Sequence, residues 1–372
     1  MRRPRPVRPE QVADLADLLS EVFGFQGSYP RERIIADLSR PQTRRRSLVI
    51  THRGKPVSHI RTLYDVLSIY GCSVKVASIG AVATHPEHRG RGCASAILNQ
   101  SLDRMLSAGA KVLIVSGNRG LYRRAHCLPA GRIYLGETRR ADWEQDRGSI
   151  AVRRVPFDSW PLLAPLHQAE PVRFLRPADF LRGRCFWWDC HNLDLWLMES
   201  NRQPIAYLAL AREGINQPEA PKLMLWEYAG SRAALLDGLP ALFRATGLQA
   251  IRLRVLGHDR EFLHLLRQRG VAMKPSPLPG THRLLDLPGL MRTLRPYLAA
   301  RLPRPELRQL SFDQRRDTCL FAYGSETAEL TLSDAVKIVL GGPAAPKLPA
   351  ALAPVLSAIF PLPFPMPGFN YV

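Results

Sequence analysis

The sequence predicts an α/β protein made of two units of one plan in tandem, followed by a smaller α+β segment. Three observations carry this reading. β-branched runs with period-2 alternation recur between stretches of helical periodicity. The order helical stretch, paired strands, strand, helix, strand occurs once before and once after about residue 148. A chain of 372 residues also exceeds one ordinary core, since a domain takes roughly 100–200 residues.

The first unit opens with Pro9–Phe23, where Val12, Leu15, Leu18, Leu19 and Val22 share one helical face. A second short helix is expected over Arg31–Leu38. Ser47–His52 and Pro56–Leu67 then alternate around the turn Arg53-Gly54-Lys55, which reads as a hairpin. Val74–Thr84 is the next strand, and it runs through the polar loop His85-Pro86-Glu87-His88 into a helix over Gly92–Leu106. The buried-type run Lys111–Ser116 and the helical turn Leu121–His126 complete the unit, with the boundary set at residues 1–147.

The second unit, residues 148–285, repeats this order without a residue-level repeat. Its strands are expected at Ile150–Arg154, Leu193–Glu199, Pro204–Arg212, Lys222–Tyr228 and Ala250–Val255, with helices at Ser231–Thr246 and Arg260–Gly270. No glycine-rich loop follows Lys222–Tyr228. The third segment, residues 286–372, begins with a helix over Pro288–Arg301 and continues through strand-like Leu307–Phe312, Cys319–Tyr323 and Thr327–Thr331. A helix over Ser333–Leu340 and a proline-rich end follow.

Composition narrows the function classes. Hydrophobic residues at 46% and charged residues at 23% are the proportions of a chain that buries a core, so global disorder is excluded. Lys+Arg 52 against Asp+Glu 32 gives +20, and the excess is diffuse: residues 1–147 hold 25 − 13 = +12 and the rest 27 − 19 = +8. Such a charge attracts anionic ligands, but without a basic stripe interleaved with aromatics specific nucleic-acid binding is not expected. Six cysteines are too sparse for a disulfide scaffold and the N-terminus has no signal-peptide run, so a cytoplasmic protein is expected. In the uncharged end, Pro349, Pro354, Pro361, Pro363, Pro365 and Pro367 break any membrane-spanning helix. Cys185, Cys190 and His191 lack a second ligand pair and read as part of a tryptophan-rich core, so no metal is expected.

The chemistry concentrates in Ile79–Leu98, IGAVATHPEHRGRGCASAIL, where a strand feeds a two-glycine loop and a helix that begins in small residues. Consecutive backbone amides at such a helix N-terminus form an anion hole, and Arg89 and Arg91 add charge. An ordinary strand–helix turn is the bland alternative. A Walker-type loop is excluded, because no Gly-Lys-Ser/Thr follows.

The spacing Arg89-x-x-Gly92-x-Ala94 behind Ala81-Val82-Ala83-Thr84 resembles the acyl-CoA motif of the GNAT N-acetyltransferase superfamily, over roughly the first 145 residues. The resemblance implies that the backbone of Val82 and Thr84 holds the pantetheine arm. It also implies that the amides of Arg89, Gly90, Arg91, Gly92, Cys93 and Ala94 bind the pyrophosphate of acetyl-CoA. A splayed strand pair would admit the acyl chain. Cys93 lacks a nearby His or Asp and reads as a small residue rather than a nucleophile. Tyr122 stands where many relatives carry the acid that protonates the departing thiolate, although His126-Cys127 replaces the usual Gly-aromatic pair after it. A packing tyrosine is the alternative.

The strand Val74–Thr84 offers no carboxylate, and neither Glu87 nor Asp65 is placed as an obvious base. A unit with the motif, a second without it and a small C-terminal domain together resemble the Eis-type (enhanced intracellular survival) acetyltransferases over nearly the whole chain. That likeness implies tandem GNAT folds and a sterol-carrier-protein-like domain with LTLSDAVKIVLGG as its strand–helix signature. It further implies a homo-oligomer, and the α-carboxylate of Val372 as catalytic base, with a frayed terminus as the alternative. The function expected is acetyl transfer from acetyl-CoA to a primary amine in a ternary complex. Its rival is a silent CoA-binding or lipid-binding interaction protein on the same fold.

Overall fold

The computed structural model describes residues 3–23, 31–146, 148–177, 180, 193–212, 223–342 and 345–370. Cys185, Cys190, His191 and Val372 lie outside the described residues. The architecture is mixed α/β of the α+β type, with two seven-stranded sheets and a three-stranded one. The chain divides into two compact units, Met1–Ala130 with Pro279–Leu362, and Gly131–Leu278 with Pro363–Tyr371.

The first unit begins with strand β1 (Arg5–Pro6) and helices α1 (Val12–Phe23), α2 (Arg31–Leu38) and α3 (Pro41–Arg46). Strands β2 (Ser47–His52), β3 (Lys55–Ile69) and β4 (Cys72–Thr84) follow, then α4 (Cys93–Ser107), β5 (Val112–Val115) and α5 (Gly120–Arg124). Arg53 and Gly54 join β2 to β3 at φ 48° and 86°, and Tyr70 and Gly71 join β3 to β4 at 47° and 85°. Two left-handed residues in a two-residue turn match the right-handed twist of the strands they connect. Leu15, Leu18 and Leu19 of α1 are buried at helical spacing. Ile97, Leu98 and Met105 of α4 close over Ile60, Ile79, Leu113 and Val115 of the sheet.

The second unit contains β6 (Ile133–Arg139), β7 (Ala151–Val155), α6 (Trp160–Ala169), β8 (Val172–Phe174), β9 (Leu193–Ser200), β10 (Gln203–Arg212) and β11 (Leu223–Gly230). It continues with α7 (Arg232–Asp237), α8 (Leu239–Thr246), β12 (Ala250–Leu256), α9 (Arg260–Gln268) and β13 (Lys274–Ser276). Its sheet runs β13-β6-β12-β11-β10-β9-β7. The chain then returns to the first unit with β14 (Thr281–Leu284), α10 (Leu287–Thr293), α11 (Arg295–Ala299) and α12 (Arg304–Gln309). There β15 (Leu310–Arg315), β16 (Thr318–Tyr323) and β17 (Glu326–Thr331) form the antiparallel three-stranded sheet, followed by α13 (Leu332–Leu340) and α14 (Leu352–Ile359).

The two large sheets share a plan. In the first, β4 and β5 are parallel and joined through α4, and β14 closes the far side of β5 antiparallel. In the second, β11 and β12 are parallel and joined through α7 and α8, and β6 closes the far side of β12 antiparallel. The closing strands differ in origin: β14 comes from beyond the second sheet in sequence, whereas β6 is the first strand of the second unit. The division between units therefore falls at Ala130, ahead of the 1–147 boundary read from sequence, because β6 pairs with β12.

Leu307–Phe312 differs from its strand reading. Pro305 sits in the first turn of α12, where a missing N–H costs nothing, so the helix runs to Gln309 before β15 begins. Likewise Pro354 falls in the first turn of α14, and the uncharged end contains an eight-residue helix. No helix among the described residues is long and apolar enough to cross a membrane.

Candidate active site

The central feature is where β4 parts from β5. Their parallel ladder pairs Val76 with Val112 and ends at Ile79 with Val115. Strand β4 continues to Thr84 against β3 alone, pairing Gly80 with Arg61, Ala83 with His59 and Thr84 with Ser58. The register shifts between His59 and Arg61, and Ala81 in the shifted stretch is left-handed at φ 48°. Such a bulge increases local twist and bends the strand. Val82 and Thr84 thus lie on a stretch of β4 whose β5 side is open among the described residues.

The loop beyond β4 turns through the short helix Pro86–His88 and then Arg89, Gly90, Arg91 and Gly92. Gly90 and Gly92 both have φ 73°, a conformation that costs residues with a Cβ, which accounts for glycine at both positions. Gly92 caps α4 in the left-handed conformation, and no side chain bonds the first amides of the helix. With Cys93 buried and Ala94 half-buried, the uncovered amides and the α4 dipole form a site for an anion. Arg89 and Arg91 are exposed at its rim, and Arg89 Nε donates to the Thr84 carbonyl at 3.2 Å.

The second unit closes the same position. After β11, the Gly230 amide donates to Glu170 Oε1 at 2.9 Å, and Ser231 Oγ accepts from the Ala234 amide at 3.2 Å. Arg232 grips both oxygens of Glu170 at 2.7 and 2.6 Å. A side-chain carboxylate already takes the place an external anion would need.

Tyr122 on α5 is 6% exposed, packed with Cys93, Ile97, Val115 and Cys127. Burial raises its pKa above the usual value, with Arg119 opposing, so the phenol keeps its proton throughout the neutral range. The following residues hold α5 firmly. His126, left-handed at φ 55°, has Nδ1 3.1 Å from Ser333 Oγ and Nε2 3.7 Å from Asp317.

His85, Glu87 and His88 each present one donor atom within 4.8 Å of the others. Slight desolvation and the charges of Arg91, His52 and His85 lower the His88 pKa, and this cationic surrounding suits an anion better than a cation.

The chain end through Asn370 belongs to the second unit and is bound there. The Phe369 amide donates to Glu227 Oε2 at 2.9 Å, Trp226 Nε1 donates to the Gly368 carbonyl at 2.9 Å, and Arg176 Nε donates to Asn370 Oδ1 at 2.8 Å. Arg176 also forks onto Glu227 at 2.6 and 2.7 Å, among the rings of Trp160, Phe180 and Phe369. Tyr207 donates to Glu227 at 2.7 Å. Burial alone would raise the Glu227 carboxyl, but the charge and hydrogen bonds of Arg176, together with His167 and the Phe369 amide, hold the pKa below its usual value. Nothing in residue spacing marks Arg176 and Glu227, 51 positions apart, as partners.

An open strand edge, an uncapped, cationic helix N-terminus and a buried phenol make up the candidate site. Residues 3–127 match the family model described as an acetyltransferase (GNAT) domain, and the chain is an acyltransferase by this domain. No curated protein sequence matches the chain. Among solved structures, it is similar to a GCN5-related N-acetyltransferase from Anabaena variabilis at 15% identity, covering 98% of both chains with a TM-score of 0.69. A GCN5-related N-acetyltransferase from Kribbella flavida is 18% identical over 98% of both chains, TM-score 0.68. Eis1 from Mycobacterium abscessus is 14% identical over 98% of this chain and 99% of that one, TM-score 0.65. At these identities the likeness is one of fold.

Proposed function

We propose that the protein transfers the acetyl group of acetyl-CoA to a primary amine by direct attack in a ternary complex. The observation that carries this reading is the parting of β4 from β5 beside the uncapped start of α4. In this reading the backbone of Val82 and Thr84 holds the pantetheine arm, and the amides from Arg89 to Ala94 hold the pyrophosphate. Nitrogen attacks the thioester carbon, the C–S bond breaks, and Tyr122 protonates the departing thiolate. Holding amine and thioester together supplies much of the acceleration.

Gly92→Asp is the direct test. It places a strained side chain and a negative charge at the anion site, so calorimetry is expected to show one acetyl-CoA site per chain in the wild type and none in the variant. Unchanged affinity would sink the assignment. One site rather than two is expected because Glu170 fills the equivalent position after β11.

Tyr122→Phe tests the acid. Acetyl-CoA affinity is expected to stay within a few-fold while kcat falls about 10²-fold, the usual scale for a lost general acid. An unaltered kcat would make Tyr122 a packing residue.

The proposal extends to an Eis-type arrangement of tandem GNAT folds with β15–β17 and α13 as a sterol-carrier-like domain. Support comes from the shared plan of the two large sheets and from the near-complete coverage by the Eis1 fold. The Val372 carboxylate is assigned as base, the chain is assigned to the cytoplasm, and a homo-oligomer is the assembly expected. Release of free CoA across polyamines, peptide lysines and aminoglycosides identifies the acceptor.

A further inference from the structure

His59 is fully buried on β3 beside the β4 bulge, between buried Ser58 and Ile60. Its Nδ1 lies 2.7 Å from the Ala81 carbonyl oxygen. A carbonyl can only accept, so Nδ1 carries the proton and Nε2 is left as a bare lone pair. The ring is neutral, because burial lowers its pKa to about 4. Nε2 is buried with no hydrogen-bond partner among the described residues.

That arrangement is a costly way to fill a core position. A buried polar atom without a partner is disfavoured, and an aliphatic residue of similar size would avoid the penalty. What His59 supplies in return is the Nδ1–H bond to Ala81, the one left-handed non-glycine residue within β4. Left-handed backbone is unfavourable for alanine and persists only where the surroundings impose it. The bond falls where the imposition is needed, two residues past the last β4–β5 pair at Ile79 and directly ahead of Val82 and Thr84.

We propose that His59 is a positioning residue for the thioester: by holding the Ala81 carbonyl through Nδ1–H, it locks the bulge that turns β4 away from β5 and sets where Val82 and Thr84 meet the acyl-pantetheine arm. This rests on the acetyl-CoA reading of that strand. With the Ala81 carbonyl turned to His59 and the Ala81 backbone left-handed, this stretch is out of line for a ladder with β5, so the opening is built into the fold before any ligand arrives. His59 acts through the backbone and not on the reacting atoms.

Two amide side chains separate the roles of the two ring nitrogens. Asparagine puts an N–H close to the Nδ1 position, glutamine puts its amide at the Nε2 position, and phenylalanine supplies neither. The probe is acetyl-CoA itself, with its Kd read by calorimetry, and kcat read by CoA release with the amine that reacts in the acceptor panel. His59→Asn is expected to stay within about threefold of wild type in both. His59→Gln and His59→Phe are expected to weaken acetyl-CoA about tenfold and to lower kcat on the order of 10²-fold, the scale of a displaced reacting group. Thermal midpoints are measured on all three variants, since loss of packing alone would not rank asparagine above glutamine. Where the phenylalanine variant does not fold, glutamine carries the comparison. Equal impairment of His59→Asn and His59→Gln, or wild-type behaviour of His59→Gln, overturns the proposal. A wild-type protein that binds no acetyl-CoA instead overturns the functional reading beneath it.

Discussion

Removing the terminal carboxylate is expected to abolish turnover while leaving acetyl-CoA bound. An alkylammonium has a pKa near 10.4, so at neutral pH only about one amine in 10³ is free to attack, and a base must take the proton. β4 carries no carboxylate, Glu87 is exposed, and Glu227 is committed to Arg176, Tyr207 and the Phe369 amide. On the proposed reading the α-carboxylate of Val372 is the base. The described part of the tail supports the economy of that choice: Phe369 and Asn370 are buried and bonded, so the two residues beyond them start from a fixed point. Deleting Tyr371 and Val372, or amidating the terminus, is expected to lower kcat by about 10³-fold, within the range for a lost general base. Calorimetric affinity for acetyl-CoA should not change. Glu87→Gln and Asp65→Asn should have far smaller effects. Full activity in a protein with a C-terminal extension would return the search for a base to those two side chains or to a water chain.

The second large effect is on stability. Arg176→Ala is expected to destabilise the second unit by about 3–5 kcal/mol, because it leaves the buried Glu227 carboxylate without its cation. For a unit of this size that corresponds to a fall in thermal midpoint on the order of 10 °C. The loss measures an orphaned charge, not the worth of the pair. Replacing both partners, Arg176→Met with Glu227→Leu, should therefore recover much of the midpoint. If the single variant melts with wild type, the pair contributes nothing and the tail is held by its aromatic packing. If the double variant recovers stability but not kcat, the Arg176–Glu227 grip on Phe369 and Asn370 matters to turnover as well as to folding.

Much of the fold was legible because local rules and tertiary structure agree. α1 shows its apolar face in Leu15, Leu18 and Leu19, and the β2–β3 turn is marked by Arg53-Gly54. The strand–loop–helix around Gly90 and Gly92 was legible for the same reason: left-handed backbone calls for glycine. What escaped has no local signature. β13 and β14 are three and four residues long and exist because a neighbouring strand offers its edge. Leu307–Phe312 alternates like a strand, yet Pro305 places its first half in α12. Nothing in Ser58-His59-Ile60 reveals that the histidine binds the Ala81 backbone 22 residues later, since the pairing depends on a one-residue register shift.

That the first large sheet is closed by a strand from beyond its own run bears on how the chain matures on the ribosome. Residues through Ala130 emerge with β5 lacking the strand that will cover its far side, and that strand, β14, is made only after the whole second sheet has been synthesised. All four residues of β5 are buried in the finished fold, so the early fragment displays a bare apolar edge of the kind that recruits foreign strands. The segment that matches the acetyltransferase domain, residues 3–127, thus does not contain every strand of its own sheet. Cut out by itself, it lacks both the cover for β5 and the Thr281 hydroxyl that holds the Gly117 carbonyl at 2.9 Å, just ahead of the turn bearing Tyr122.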